Sequence, residues 1–213
     1  MKQHLIVEGK DYFFIGTLCR KHFGLPIGFT EKTKNQFLKG GGGFDQTLDT
    51  FLAAFDSADL TNIGLIVDAD FGTIESRFAK IIVALSRKLN YDFSKYQLDT
   101  EGVFIDEIGL PTIGIWIMPD NTNSGYIEHF VENLIDENDD LLPIAKETID
   151  NMMTQPYCRI TGYKRQKAII HSWLAWQETP GLPFGSALEA GYLKHEKDSL
   201  KSFLKWIEAV FQF

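Results

Sequence analysis

The sequence contains little cysteine and no long apolar run. Its two cysteines, Cys19 and Cys158, do not have the spacing of a metal-binding pair, and free thiols in a reducing cytoplasm are expected. No apolar run approaches the roughly 18–20 residues that a membrane-spanning helix needs. The first residues lead directly into a strand pattern with no secretory signal ahead of it. We therefore expect a cytoplasmic protein without a membrane segment.

A surplus of positive charge is also missing. The chain of 213 residues has 29 Asp and Glu against 21 Lys and Arg, a net charge of -8, which argues against non-specific coating of nucleic acid. Residues 1–43 differ, with seven basic and three acidic residues (+4), which leaves 14 against 26 (-12) for the remainder. A basic segment suits a phosphate-bearing ligand, although ordinary variation in surface charge explains it equally well.

Short apolar runs alternate with helical patterns through the first part of the chain. Strands are predicted at residues 4–8, 25–29, 63–67, 102–105 and 112–118, and helices are predicted after Asp11, around 48–55 and from Thr73 to Leu89. The polar segment 32–39 is predicted as a loop. This alternation predicts an α/β fold: a three-layer core with a mainly parallel central sheet flanked by helices.

The last third of the chain has a different character. Helical spacing of apolar residues predicts helices at 127–135, 164–176 and 200–211. We therefore divide the chain into an α/β core, residues 1–125, and a largely helical C-terminal part, residues 126–213, packed on the core as one compact unit.

Two apolar strands end in acidic residues. Glu8 follows the first strand, and Asp68 and Asp70 follow the strand at 63–67. Residues i and i+2 of an extended segment point the same way, so both aspartates would face one site. Open α/β sheets hold ligands at the carboxyl ends of their strands. Three acids at one edge would repel one another unless a cation lay between them, and Mg²⁺ or Mn²⁺ prefers such oxygen ligands.

Each of these acids also has a purely structural explanation. Asp70 or Thr73 would cap the helix that follows, and Glu8 would be a solvated loop acid. In the functional interpretation, Glu8 transfers protons at a metal-bound phosphate and Lys10 neutralises a phosphate oxygen. Both interpretations are open at this point.

The segments Leu5–Asp11 and Gly64–Asp70 together resemble the Toprim signature. That domain is shared by topoisomerases, bacterial primases, recombination-repair proteins and the overcoming-lysogenization-defect nucleases. The resemblance matches Glu8, Asp68 and Asp70 to a glutamate after the first strand and an Asp-x-Asp after a later one. It implies that the aspartates bind magnesium and that Glu8 is the general acid or base in making or breaking phosphodiesters.

Over nearly its full length, the chain more closely resembles a bacterial family of unknown function built on a Toprim-like core. The segments that carry this resemblance are 114–121, 167–177 and 180–181. It implies a fold rather than an activity, since that family has no established reaction. A looser resemblance to the overcoming-lysogenization-defect nucleases suggests Asp120 and Glu128 as ligands of a second metal and Lys167 as a catalytic lysine. Asp120 as a helix cap is an equally good explanation.

A run of four glycines precedes the second predicted helix. Backbone N–H groups of Gly41, Gly42 and Gly43 would cradle a phosphate at the start of that helix, and a flexible linker is the alternative. The run lacks the Lys-Ser/Thr of a Walker A loop. Basic residues at 164–171 are either an edge for phosphates or the solvated face of a helix.

Three functions are compatible with these features. The first is magnesium-dependent cleavage of nucleic acid, or a related phosphoryl transfer. The second is a non-catalytic module that binds a nucleotide or a partner. The third is a phosphatase of the haloacid dehalogenase type, because Asp68–Thr73 superficially resembles its Asp-x-Asp-x-Thr motif. In this chain, however, the threonine lies one residue too far along, and Glu8 would have no role.

Overall fold

A five-stranded, mostly parallel sheet organises the protein. The computed structural model describes residues 2–24, 38–40, 42–70 and 72–212, with 38–40 described as backbone alone. The strands are β1 (Lys2–Val7), β2 (Leu38–Gly40), β3 (Leu60–Asp68), β4 (Val103–Ile105) and β5 (Thr112–Met118). Their order is β2-β1-β3-β5-β4, and only β4 runs antiparallel to its neighbour. The carboxyl ends of four strands therefore lie at one edge of the sheet.

Helices cover both faces of this sheet. In the described residues they are α1 (Tyr12–Phe23), α2 (Phe44–Ala54), α3 (Ile74–Leu89), α4 (Ile127–Glu132), α5 (Leu141–Met153), α6 (Arg165–Ala175), α7 (Phe184–Glu189) and α8 (Lys201–Phe211). No helix in the described part of the chain is long and apolar enough to cross a membrane.

The two faces of the sheet bury two separate apolar clusters. Ile6 points into the cluster beneath α2 and α3, whereas Leu5 and Val7 point into the cluster beneath α1, α4 and α6–α8. Alternate residues of a strand face opposite sides, so a strand buried on both sides must be apolar throughout. The second cluster joins residues of both predicted parts of the chain, which gives the C-terminal helices and the sheet a common core.

Helix α8 lies unusually close to the sheet because two strand residues are glycine. A Cβ at Gly114 would stand 2.4 Å from Val210 and 2.8 Å from Trp206, and one at Gly64 would stand 3.1 Å from Phe211. Such overlaps would force the helix away from the sheet. The glycines therefore fix the packing of the C-terminal helix on the central strands.

The predicted architecture is confirmed: an α/β core with a mainly parallel sheet, and a largely helical C-terminal third. Helix α3 begins as expected, with the Thr73 hydroxyl accepting the Ser76 N–H at 3.1 Å. The loop prediction for 32–39 is wrong at its end, since Leu38–Gly40 pairs with β1 through its backbone. Helices α5 and α7 were not predicted. The strand proposed at 25–29 lies outside the described residues.

Candidate metal centre

The candidate site lies where the chain changes direction across the sheet. From β1 the chain continues to β2 on one side and then to β3 on the other, so the carboxyl ends of β1 and β3 flank a crevice of the kind in which α/β proteins hold ligands. Glu8 follows β1 directly, and Asp68 is the last residue of β3. Their proximity is direct, because Glu8 Oε2 accepts the backbone N–H of Asp68 at 3.0 Å.

Asp68 also faces the start of helix α4. Its Oδ1 accepts the backbone N–H of Ile127, the first residue of that helix, at 3.1 Å. This contact brings Glu128, the next residue along, to the same edge of the sheet. Asp11, just before α1, completes the set, so that Glu8, Asp11, Asp68, Asp70 and Glu128 form what we call the carboxylate cluster.

The electrostatics of Asp68 show that the cluster holds more negative charge than its surroundings neutralise. Burial, followed by the charges of the four other members, raises the pKa of Asp68 to about 8 from the usual 3.8. A carboxyl group with that pKa is largely protonated at neutral pH. An ion pair would have shifted the pKa in the opposite direction.

The two neighbouring acids are shifted in the same direction. Burial raises the pKa of Asp11 to about 6; the charges of Glu128 and Glu8 add to the shift, and Lys167 opposes it. Burial likewise raises the pKa of Glu8, against the hydrogen bond from Asp68. Three carboxyl groups thus share an environment that disfavours their ionised forms.

Asp70 departs from the predicted geometry. Strand β3 ends at Asp68, and Asp70 has a left-handed backbone (φ 54°) held by a hydrogen bond from its N–H to the Gly125 carbonyl at 2.9 Å. The expectation that both aspartates project together from an extended strand is therefore wrong. The carboxylate of Asp70 pairs instead with Arg77 of α3, at 2.5 Å.

Arg77 is the principal cation on this side of the cluster. Its guanidinium lies 4.0 Å from the centre of the Phe44 ring, and its side chain is only 13% exposed. It also lowers the pKa of Glu8, although burial outweighs it. Arg77 therefore offsets part of the negative charge without cancelling it.

Lys167 and Glu128, predicted for separate roles, form an ion pair. Lys167 Nζ lies 3.3 Å from Glu128 Oε1, and the carboxylate side chain is 6% exposed whereas the lysine side chain is 59% exposed. The ammonium group thus stands at the surface over a buried acid. Of the basic residues at 164–171, Arg165 is occupied elsewhere by Asp150.

Asp120 follows β5 at the same edge, but its carboxylate oxygens stabilise the turn in which Asp120 itself lies. They accept hydrogen bonds from the backbone and side chains of Thr122 and Asn123 at 2.8–3.0 Å. Burial acts to raise the pKa of Asp120, yet these hydrogen bonds outweigh it and leave the pKa below its usual value. Asp120 therefore stabilises the turn after β5 and is not the helix cap offered as the alternative, since α4 begins at Ile127 and its N-cap residue is Tyr126.

The end of the glycine run lies beside β1. The Gly42 carbonyl accepts the Gly9 N–H at 3.1 Å, and Gly43 precedes the first residue of α2. Lys10, on the other side of Gly9, is exposed. Gly42, Gly43 and Lys10 are therefore near Glu8, and a phosphate site there remains a prediction, while Gly41 lies outside the described residues.

The donors of the cluster suit a hard divalent cation, since all of them are carboxylate oxygens with surplus negative charge. Yet within the described residues, no group of three or more His, Cys, Asp or Glu side chains already stands at metal-binding spacing. Asp70 and Glu128 are each turned towards a cation of the protein. Binding would therefore require side chains of the cluster to reorient.

Sequence reasoning missed two members of this site. Asp11 precedes the predicted helix α1, but its side chain makes no capping hydrogen bond there and lies among the acids of the cluster. Arg77 lies within the predicted helix from Thr73 to Leu89 and was not proposed as a site residue. Its position one turn beyond the Thr73 cap was the available signal, because the start of α3 follows directly from the strand that carries Asp68.

The family comparison covers nearly the whole chain. The family described as "Protein of unknown function (DUF3226)" matches residues 2–212. The chain belongs to this family. No curated protein and no solved structure matches the chain significantly. Membership in the family carries no activity, so the chemistry has to be argued from the carboxylate cluster itself.

Proposed function

We propose that the protein is an enzyme that cleaves phosphodiesters of a nucleic acid or nucleotide with the help of a divalent cation. Asp68 and Asp70 would hold Mg²⁺ or Mn²⁺, with Glu128 in reach, and Glu8 would act as general acid or base. A bound cation would supply charge that polarises a phosphoryl oxygen. The sequence resemblance to the Toprim signature agrees with this assignment of residues.

The observation that carries the proposal is the uncompensated charge of the carboxylate cluster. Five carboxyl groups near the carboxyl edge of the sheet interact electrostatically, and the pKa of Asp68 is raised to about 8 by burial and by the charges of the other four. Titratable groups with such shifts concentrate at functional sites. Burial is the largest cause of the raised pKa values, and a divalent cation would offset the part that comes from repulsion between the carboxylates.

Glu8 is suited to proton transfer rather than to metal binding alone. One of its oxygens is engaged by the Asp68 N–H, which fixes the side chain between the strands. Burial raises its pKa above that of an ordinary glutamate, which makes the carboxylate a stronger base. Glu8 would take a proton from the attacking water or give one to the leaving oxygen.

A non-catalytic binding module is the second candidate, and one observation favours it. The cluster is not pre-arranged for a metal within the described residues, and the net charge of -8 disfavours long contacts with a phosphate backbone. Such a module would bind a nucleotide and a metal without turnover. A phosphatase of the haloacid dehalogenase type has less support, because the Thr73 hydroxyl caps α3.

A cleavage assay with paired variants tests the enzymatic proposal. Purified protein would be incubated with single- and double-stranded DNA, RNA and bis(p-nitrophenyl) phosphate, with Mn²⁺, with Mg²⁺ or with EDTA. We expect cleavage that requires metal and falls at least about 100-fold in Glu8→Gln, as for loss of a general acid or base.

Glu147→Gln is the matched control, since Glu147 is an exposed glutamate of α5. It should cleave like the wild type. Metal binding without cleavage of any substrate would establish the binding module instead. Equal activity of Glu8→Gln and the wild type would remove Glu8 from the mechanism.

A further inference from the structure

A pocket opens beside the carboxylate cluster, between α1, α6 and the segment that leads into α7. Its volume is about 360 Å³, within the range of roughly 300–1,000 Å³ typical of small-molecule sites. Asp11 and Glu128 line one end of it, so the pocket and the cluster share two residues. A ligand in the pocket would therefore reach the cluster.

Flat and apolar groups form the other walls. Phe13, Leu182, Pro183 and Phe184 line the pocket together with His171, whose ring stacks on that of Phe184 at 5.8 Å with 25° between the planes. Phe13 is 42% exposed, so part of its ring is accessible to a ligand. Such walls offer stacking surfaces to a planar ring.

Two lysines line the pocket together with the two acids of the cluster. Lys10 and Lys167 are both exposed, so their ammonium groups are accessible to an anion. Asp11 and Glu128 balance them, which makes the lining close to neutral overall. A phosphate is therefore favoured beside these residues chiefly when a divalent cation occupies the cluster.

We propose that the pocket binds the base of a nucleotide whose phosphate lies between the two lysines and the carboxylate cluster. The aromatic walls, the volume and the lysines at one end match a planar ring joined to an anion. This inference rests on the proposed function and narrows its substrate to a single nucleotide or an unpaired strand end. A base within a duplex would not reach a pocket walled by α1 and α7.

The wall formed by α7 is held firmly in place. Gly185, in the first turn of α7, lies so close to α1 that an added Cβ would stand 3.2 Å from the Thr17 hydroxyl and 3.4 Å from the Phe13 carbonyl. Phe184 also packs edge-to-face on Phe14. The pocket is thus bounded by packed helices and is suited to binding without rearrangement.

Binding of three small probes to the full chain tests the inference. Adenosine supplies the base without phosphate, ribose 5-phosphate supplies the phosphate without a base, and AMP supplies both. Calorimetry with and without Mg²⁺ would give affinities, and saturation-transfer NMR would show which ligand protons touch the protein. We expect AMP to bind at least about fivefold more tightly than ribose 5-phosphate, as one stacked base provides. Mg²⁺ should strengthen AMP binding but not adenosine binding.

Two exposed phenylalanines provide a matched pair of variants. Phe13→Ala should weaken binding of AMP and adenosine about fivefold or more. Phe104→Ala is the control, because Phe104 is 43% exposed on β4 and lies outside the pocket. His171→Ala, on the other wall of the pocket, should also weaken binding of AMP and adenosine.

The possible outcomes separate this inference from the proposed function. Equal binding of ribose 5-phosphate and AMP, or unchanged AMP affinity in both pocket variants, would overturn the base pocket even if metal-dependent cleavage were present. Adenosine binding that is lost in Phe13→Ala but not in Phe104→Ala would support the pocket even if no cleavage were found.

Discussion

Three carboxyl groups at the carboxyl edge of the sheet differ in electrostatic state from Glu107, which lies elsewhere on the protein. Burial raises the pKa values of Glu8, Asp11 and Asp68 at the edge. On the remaining surface, hydrogen bonds from Lys95 and Tyr96 lower the pKa of Glu107 to about 2. Glu107 is stabilised by its own partners, whereas Glu8, Asp11 and Asp68 are buried and are also repelled by neighbouring acids.

This difference indicates that the acids at the carboxyl edge of the sheet reduce the stability of the folded protein. Surface acids that are paired favour the folded state above their unfolded pKa, whereas buried acids that repel one another disfavour it. Natural proteins keep such unfavourable arrangements mainly at functional sites. The contrast therefore supports the proposal that the carboxylate cluster, rather than a surface ion pair, is the functional site.

Removing one charge from the cluster should have the largest effect on metal binding. Asp68→Asn keeps an oxygen that accepts the Ile127 N–H but removes a charged ligand. We expect Mn²⁺ affinity, measured by calorimetry, to fall at least about 100-fold, since even outer partners of a metal site are worth about 10–100-fold. Asp106→Asn, an exposed aspartate just after β4, is the control and should bind like the wild type. Equal affinity of Asp68→Asn and the wild type would remove Asp68 from the site.

The same variant should be more stable than the wild type when metal is absent. The pKa of Asp68 is about 8 in the folded state, above its usual 3.8. Between these two pH values the folded protein holds a proton on Asp68 that the unfolded protein has lost. The free energy of unfolding therefore falls as pH rises from about 4 to about 8. Asp68→Asn should lack this fall and gain about 2 kcal/mol at pH 9 by urea denaturation. A variant less stable than the wild type at pH 9 would contradict the account.

Removing Arg77 should increase the negative charge of the carboxylate cluster and so increase the repulsion among its acids. Arg77→Gln would free Asp70 and remove the charge that lowers the pKa of Glu8. We expect a loss of about 1 kcal/mol in thermal or urea unfolding. Mn²⁺ should restore much of it, because a bound cation replaces the guanidinium. Arg165→Gln, which breaks the pair with Asp150, should not be restored by Mn²⁺.

The smallest effect is expected at the surface. The pKa of Glu107 is lowered, so its contribution to stability is present above the unfolded pKa of about 4.5 and is lost as pH falls towards 2. Glu107→Gln should therefore be slightly less stable than the wild type at pH 7 and equal to it at pH 2. Stability from Glu107 thus increases with pH, whereas stability from Asp68 decreases with pH. If both contributions changed with pH in the same direction, the proposed difference between the two positions would be wrong.

The sequence was sufficient to predict the acids at strand ends, but not the partners that other elements bring to them. Glu8 and Asp68 follow apolar strands, so their meeting at one edge follows from parallel pairing. The positions of the Asp11 and Arg77 side chains depend on where α1 and α3 begin and on which face of each helix points towards the cluster. Asp70 has a left-handed backbone because of its bridge to Gly125, a contact fifty-five residues away that local spacing does not encode.

Two parts of the fold were unpredictable for similar reasons. Strand β2 is only three residues long and exists through backbone pairing with β1. Helix α7 has six residues, and its place against α1 depends on Gly185. Both features arise from tertiary contact rather than from propensity. The pocket beside the cluster, which α7 helps to form, was accordingly absent from the predictions.

A crystal grown with Mn²⁺ would show whether the carboxylate cluster holds a metal ion. An anomalous difference map locates manganese without assumptions about the protein. We expect a peak between Glu8 and Asp68, in contact with at least one oxygen of Asp68, with the carboxylate of Asp70 or Glu128 turned towards it. No peak at this edge of the sheet, in a crystal saturated with Mn²⁺, would rule out the proposed metal site.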